Sequence, residues 1–175
     1  MGTTPIYGIP YIEPTDALAN YPTQDKAQAE AVEAALATYA TPRAARYKSA
    51  TQSLTANVWA PVAFEGDEPG QSSAGITYAG GIFTVAREGV YLVNTALLFA
   101  GTAAPQQRLR IGNATVSYAE VTSAVMGASA FGLSKAVRVP AGGQIYVSAF
   151  ATAAGQTVYG STVRYSTVDI TLVAP

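Results

Sequence analysis

The fold class this chain of 175 residues predicts is all-β, an antiparallel sandwich, preceded by an extended N-terminal anchor and one short α-helix. Three observations carry the prediction. From residue 46 onward, short runs of β-formers alternate with Gly-, Asn- and Pro-containing turns at intervals of roughly ten residues, with no helical periodicity between them. The run Gly89 to Gly101, "GVYLVNTALLFAG", is apolar on both of its period-2 sides, which suits the middle of a sheet pressed on both faces. Residues 23–40, "TQDKAQAEAVEAALATYA", are Ala-rich and have helical spacing.

Taken in order, residues 1–22 form the anchor segment. Pro5, Pro10, Pro14 and Pro22 alternate with Tyr7, Tyr11 and Tyr21, a spacing that disfavours helix and suits an extended strip ordered against a partner. Residues 23–45 form a helix and linker. Thr23 is placed to cap the helix and Asp25 to meet the positive end of its dipole. Ala35, with Val32, Leu36 and Tyr39, makes a stripe too thin to hold an isolated helix, and Thr41-Pro42 ends it. Arg43, Arg46 and Lys48 read as a solvated linker region.

Residues 46–175 form the head. Strands are predicted at 47–54, 58–64, 76–78, 82–86, 90–100, 108–111, 115–125, 131–139, 144–150 and 162–173, with turns at Gly112-Asn113 and Pro140–Gly143. In the final strand Val168, Ile170 and Leu172 face one way and Asp169 and Thr171 the other. The strand at 90–100 differs, because Tyr91, Val93, Leu97 and Phe99 line one side while Val90, Leu92, Ala96 and Leu98 line the other. Leaving the large side chains of the first row in water would forfeit about 1.5–3 kcal/mol each, against a total stability of about 5–15 kcal/mol. A second copy of the chain is expected to cover that row.

Composition excludes several functions. Histidine and cysteine are both absent, which removes disulfides, thiolate metal sites and the Ser-His-Asp class of nucleophilic enzyme. Ten Lys and Arg against eleven Asp and Glu give a net charge of −1, so nucleic acid is not an expected partner. The first twenty residues hold no basic residue and no continuous apolar run, so neither a secretory signal nor membrane insertion is expected. The acidic loop Glu65–Gly70 lacks the alternating Asp/Asn pattern of a calcium loop, and Glu88, Glu120 and Asp169 are scattered singly. No enzyme activity, metal or cofactor is therefore expected. Eleven tyrosines and the single Trp59 offer material for a sugar-binding surface.

Two resemblances follow from these residues. Phe83-Thr84-Val85 followed by Glu88-Gly89-Val90-Tyr91-Leu92-Val93, with Gly142-Gly143-Gln144-Ile145-Tyr146-Val147 and a final apolar strand, resembles the trimeric jelly-roll heads of the tumour necrosis factor and complement globular-head families. Gly143 stands where that family carries Asp. The resemblance implies an antiparallel jelly-roll sandwich and a homotrimer whose interface is one apolar sheet face, with Tyr91, Val93, Leu97 and Phe99 as its residues. The N-terminal Gly8-x-Pro10-Tyr11-x-x-Pro14-Thr15-Asp16 before an Ala-rich helix is similar to the start of minor tail and fibre-type virion proteins of actinobacterial phages. That resemblance implies a structural protein made in a host cytoplasm and carried on the virion, at the tail tip or as a capsid head fibre or decoration. Tyr7, Gly8, Pro10, Tyr11, Pro14, Thr15 and Asp16 would dock it, residues 1–40 would contact other virion proteins, and the head would serve host attachment. The alternative reading is a carbohydrate-binding adhesin acting on a host surface glycan.

Overall fold

The structure, a computed structural model, describes residues 2–3, 10–11, 26–32, 41–69, 75–101, 106–123 and 128–175. The chain divides into two units, Met1–Ala40 and Thr41–Pro175. In the first, β1 (Gly2–Thr3) pairs antiparallel with β2 (Pro10–Tyr11), and residues 26–32 are helical. Lys26 and Glu30 face each other one turn apart at 3.6 Å, a spacing that supports the helix locally. Of the expected docking residues, Pro10 and Tyr11 lie in β2. Tyr7, Gly8, Pro14, Thr15 and Asp16 lie outside the described residues, as do Thr23, Asp25, Ala35, Leu36 and Tyr39.

The second unit is built from β3 (Arg43–Tyr47), β4 (Gln52–Ser53), β5 (Ala60–Pro61), β6 (Gly66–Asp67), β7 (Ile76–Ala79), β8 (Ile82–Val85) and β9 (Gly89–Ala100). It continues through β10 (Gln107–Gly112), β11 (Ser117–Ser123), β12 (Ser129–Val139), β13 (Gln144–Ala151), β14 (Thr157–Val158) and β15 (Thr167–Ala174). Two antiparallel sheets result. The seven-stranded one runs β4-β14-β9-β15-β3-β6, with β12 on the other edge of β9. The six-stranded one runs β11-β10-β13-β8-β7, with β5 also on β13. This is the predicted sandwich: the strands at 82–85, 107–112 and 144–151 fall where the alternation places them. Gly142 holds φ +75° in the turn between β12 and β13, a left-handed position that a side chain would strain, and the turn closes by Gly143 N–H donating to Pro140 O at 2.9 Å.

The long strand β9 lies between β12 and β15 and does occupy the middle of its sheet. Its odd side faces inward: Tyr91, Val93, Leu97 and Phe99 are fully buried against Phe83, Leu109, Ile145 and Val147 of the facing sheet. Burial within the chain corrects the expectation that these four residues form the oligomer interface, because a side chain with no solvent exposure in one protomer has no surface left to offer a second. The physical reason is volume. Two sheets packed about 10 Å apart need the bulkier row between them, and the odd side carries both rings. Phe99 stacks on Phe131 at a centroid distance of 4.9 Å, and the Tyr91 hydroxyl donates to Arg87 O at 2.8 Å, so the one polar tip in this row is satisfied. Burial also raises the Tyr91 phenol above its ordinary pKa.

The basic segment read as a linker is also corrected. Arg43 and Arg46 sit in β3, paired with β15. Lys48 is 1% exposed, and its ammonium donates to Ala63 O at 2.8 Å and to Glu65 Oε1 at 2.9 Å. Likewise the final strand starts at Thr167, and residues 162–166 belong to the loop before it.

Candidate interaction surface

The even side of β9 faces away from the core, and its neighbours can be read from register, since residues opposite each other in a sheet share a face. One row across the sheet is Tyr47, Thr167, Ala96 and Gly132. The next is Ala45, Asp169, Asn94 and Ser134, followed by Arg43, Thr171, Leu92 and Ala136. Leu98 beside Ala130 and Val90 beside Arg138 extend the face at its two ends. At the Tyr47 end the Arg164 guanidinium lies over the ring at 5.1 Å, and Ala45 is buried. Val90, Leu92, Ala96 and Leu98 are half-buried, whereas Asn94, Ala130, Gly132, Ser134 and Ala136 are exposed.

Small side chains at the centre make the face concave. A depression of about 730 Å³ is floored by Ala45, Ala96 and Gly132 and edged by Arg43, Asp169, Asn94 and Ser134. Its polar groups are already paired. Arg43 grips Asp169 through Nε, at 3.1 Å to Oδ2, and through Nη2. That hydrogen bond raises the Arg43 pKa further above its ordinary value, with burial acting against it and the Asp169 charge reinforcing it. Thr171 Oγ1 donates to Asp169 Oδ1 at 2.9 Å, and Ser134 Oγ donates to Asn94 Oδ1 at 2.6 Å. Polar groups satisfied in this way can be covered by a partner without leaving donors stranded.

At one end of the same sheet the loop between β14 and β15 presents Tyr159, Val163 and Tyr165 to solvent. It is firmly held: Tyr159 N–H donates to Leu98 O at 2.8 Å, Ser161 N–H to Lys48 O at 3.0 Å, and Ser166 Oγ to Tyr159 O at 2.8 Å. The Tyr159 and Tyr165 rings lie 6.0 Å apart.

Carboxylate chemistry is dispersed. The six Asp and Glu of residues 41–175 each form an ion pair with a different cation: Asp169 with Arg43, Asp67 with Arg46, Glu65 with Lys48, Glu120 with Arg108, Glu88 with Arg138 and Glu68 with Arg164. Thus Glu65, Asp67 and Glu68, adjacent in sequence, point to three separate partners. Among the described residues no group of three acidic side chains is placed to hold a metal ion.

Among the described residues of the head the tyrosines do not gather on one surface. Tyr91 is core, Tyr78 is half-buried with its oxygen accepting from Phe64 N–H at 2.6 Å, and Tyr118 receives a hydrogen bond from Asn113 Nδ2 at 2.7 Å. Trp59 packs on the outward side of the six-stranded sheet, 5.3 Å from Phe150. Alternation in the last strand placed Asp169 on the side turned away from Val168, Ile170 and Leu172, as observed; sequence reasoning missed Arg43, Asn94 and Ser134 as parts of the same exposed face. The available signal for Asn94 was parity, since it is the most polar residue of an otherwise largely apolar strand and marks the side turned to solvent.

Strand order and face assignment together define a tumour-necrosis-factor-like jelly roll. No family model matches the chain, and no curated protein matches it. Solved structures share its fold. The structure of Eiger TNF from S. frugiperda is similar over 77% of this chain and 93% of its own length, with a TM-score of 0.56 and 14% identity. Murine APRIL at pH 8.0 is similar over 77% of this chain and 100% of its own, with a TM-score of 0.58 and 12% identity. At that level of identity the likeness is one of fold.

Proposed function

We propose that this chain is a non-enzymatic structural protein of a phage virion, a homotrimeric appendage docked through residues 1–40 and displaying residues 41–175 as its head. The observation that carries the assembly is the outward face of β9 and its neighbours. Four adjacent strands present small and apolar side chains, a central concavity and internally paired polar groups. The interface is therefore assigned to Leu92, Ala96 and Leu98 with Gly132 and Ala136, the side of β9 opposite to Tyr91, Val93, Leu97 and Phe99. Three copies, as against two, follow from the family resemblance of residues 83–93 and 142–147. The virion location rests on the Gly8–Asp16 motif and the Ala-rich helix, and it leaves tail tip and capsid fibre as equal sites of attachment. Absence of His and Cys, and the engagement of every head carboxylate in an ion pair, support a role without catalysis.

Light scattering on the full chain is the test of assembly. A mass three times that of the protomer is expected, falling to one protomer for Leu92→Lys, while a monomeric parent chain would refute the interface. Mass spectrometry of purified particles tests the virion location, and absence of the chain from them would refute it. A second reading, a module that binds host-surface glycan, is favoured by the aromatic and arginine cluster on the opposite sheet.

A further inference from the structure

The outward side of the six-stranded sheet holds an arrangement that neither folding nor assembly uses. Register places Arg108 beside Phe150 and Arg110 beside Ser148, with Glu120 opposite Arg110 on β11. Trp59, next to β5, lies against Phe150 with centroids 5.3 Å apart and planes inclined by 40°. The Arg110 guanidinium stacks on Trp59 at 4.3 Å, and that of Arg108 on Phe150 at 5.2 Å. The result is an interleaved stack of two cations and two rings across one exposed sheet face.

The two arginines differ in what else they hold. Arg108 donates through Nη1 to Glu120 at 3.2 Å and through Nη2 to Gln106 Oε1 at 2.7 Å. Arg110 has no carboxylate or hydrogen-bond partner among the described residues; its one contact of this kind is the Trp59 ring. Its Nε is shut off from solvent and unpaired, so the edge bearing the Nη donors is the part it presents. Stacking fixes the plane of the guanidinium in advance, and a planar fork held in place matches a carboxylate in two parallel hydrogen bonds. Half-buried Phe150, packed by Trp59 and Arg108, and half-buried Tyr146 flank it on the same face; the Tyr146 hydroxyl donates to Gln144 Oε1 at 2.8 Å and keeps its lone pairs to accept from a sugar hydroxyl.

We propose that Arg110, held on Trp59 and flanked by Phe150 and Tyr146, binds the carboxylate of an acidic sugar. This deepens the glycan-binding reading and rests on it. One uncompensated arginine in a chain of net charge −1 suits a single carboxylate. It does not suit a nucleic acid, whose binding requires several phosphates to be neutralised together. Because the site lies on the sheet opposite the proposed interface, assembly leaves it open.

Trp59 is the only tryptophan and reports directly on its own surroundings. The experiment is a fluorescence titration of the full chain with trigalacturonic acid and with the same trisaccharide after reduction of its carboxyl groups. A saturable change with the acidic sugar is expected, weakened about tenfold or more by carboxyl reduction or by Arg110→Gln. Arg110→Lys, which keeps the charge and loses the fork, falls between. No saturable change, equal binding of the reduced sugar, or unaltered binding by Arg110→Gln would overturn the proposal. So would tighter binding of hexaglutamate, which assigns the site to acidic peptide, or of acetate, which leaves an anion site without sugar recognition. Should Arg110→Gln fail to fold, the comparison of the two sugars on the parent chain decides alone. Light scattering on the same samples separates the two readings: sugar binding by a monomer keeps this site and removes the trimer, and a trimer without sugar binding does the reverse.

Discussion

Replacing Glu65 by Ala should destabilise the head more than replacing its partner Lys48 by Met, although the two remove the same ion pair. Lys48 is almost wholly enclosed, while the Glu65 side chain is 38% exposed. Glu65→Ala leaves the buried ammonium with Ala63 O as its remaining acceptor among the described contacts, and it strips Ser49 N–H and Ala50 N–H of the acceptor they reach at 3.0 and 3.3 Å. Breaking a buried pair from one side costs about 3–5 kcal/mol, and the exposure of Glu65 lowers this to about 2–3 kcal/mol through solvent screening. Lys48→Met keeps the volume, removes the charge that needed burying and leaves Glu65 with its backbone donors and water, a cost of about 1 kcal/mol. Adding Glu65→Ala to Lys48→Met should then cost less than the sum of the single changes. Urea unfolding measures this, at one protomer concentration so that any assembly enters all variants alike. Equal costs, a larger cost for Lys48→Met, or strict additivity would refute the assignment of the penalty to the stranded ammonium.

Further outcomes follow from the same structure. Burial pushes the Glu65 carboxyl up, but the hydrogen bond from Lys48 and those from backbone N–H groups outweigh it, and its pKa lies below the ordinary 4.5. A folded pKa below the unfolded one gives stability that is present above pH 4.5 and lost as pH falls through the folded value, so Glu65→Gln should flatten the acid limb of the unfolding curve. Leu97→Ala should cost about 2–5 kcal/mol, read by urea unfolding, and leave the oligomer mass unchanged. Its near neighbour Leu92→Lys should do the opposite, which makes one strand a test of both faces. Gly160→Ala would drive a Cβ into the Ala50 backbone, whose nitrogen would lie 2.6 Å away, and should cost about 1–3 kcal/mol with faster proteolysis at residues 159–165.

The sandwich and its long strands were legible because period-2 alternation and turn chemistry are local, whereas the strands expected at 47–54 and 58–64 shrink to the two-residue β4 and β5. The turn at Gly112-Asn113 closes the pair of β10 and β11, that at Pro140–Gly143 carries the chain from β12 in one sheet to β13 in the other, and Val168, Ile170 and Leu172 point inward as their alternation indicates. The facing of β9 was not legible, since both of its sides are apolar and the choice depends on which row the opposite sheet can accommodate. Ring size held the answer: Tyr91 and Phe99 fill space between sheets, whereas Ala96 and Asn94 sit beside Gly132 and Ser134 in the exterior depression. Basic residues concealed β3, because a strand that carries Arg43 and Arg46, with Lys48 just beyond its end, looks like linker until Asp169, Asp67 and Glu65 arrive from elsewhere in the chain. The stack of Arg110 on Trp59 joins residues far apart in sequence, and no local pattern announces it.

The place of β15 bears on how the head is made. This last strand lies between β3, the first of the head, and β9, and Arg43 meets Asp169 across 126 positions of chain. A ribosome delivers residues in order, so β9 waits with one long edge unpaired until Thr167–Ala174 have emerged. Folding of the head is consequently completed after synthesis of its final strand, and it is slow for its size because its decisive pairings span nearly the whole domain. During that interval the open edge of β9 is the point at which a nascent chain can join a neighbour wrongly. If the chain assembles as proposed, the same interval brings protomers made on one message close together while their outward faces are uncovered, and assembly then competes with aggregation at the ribosome.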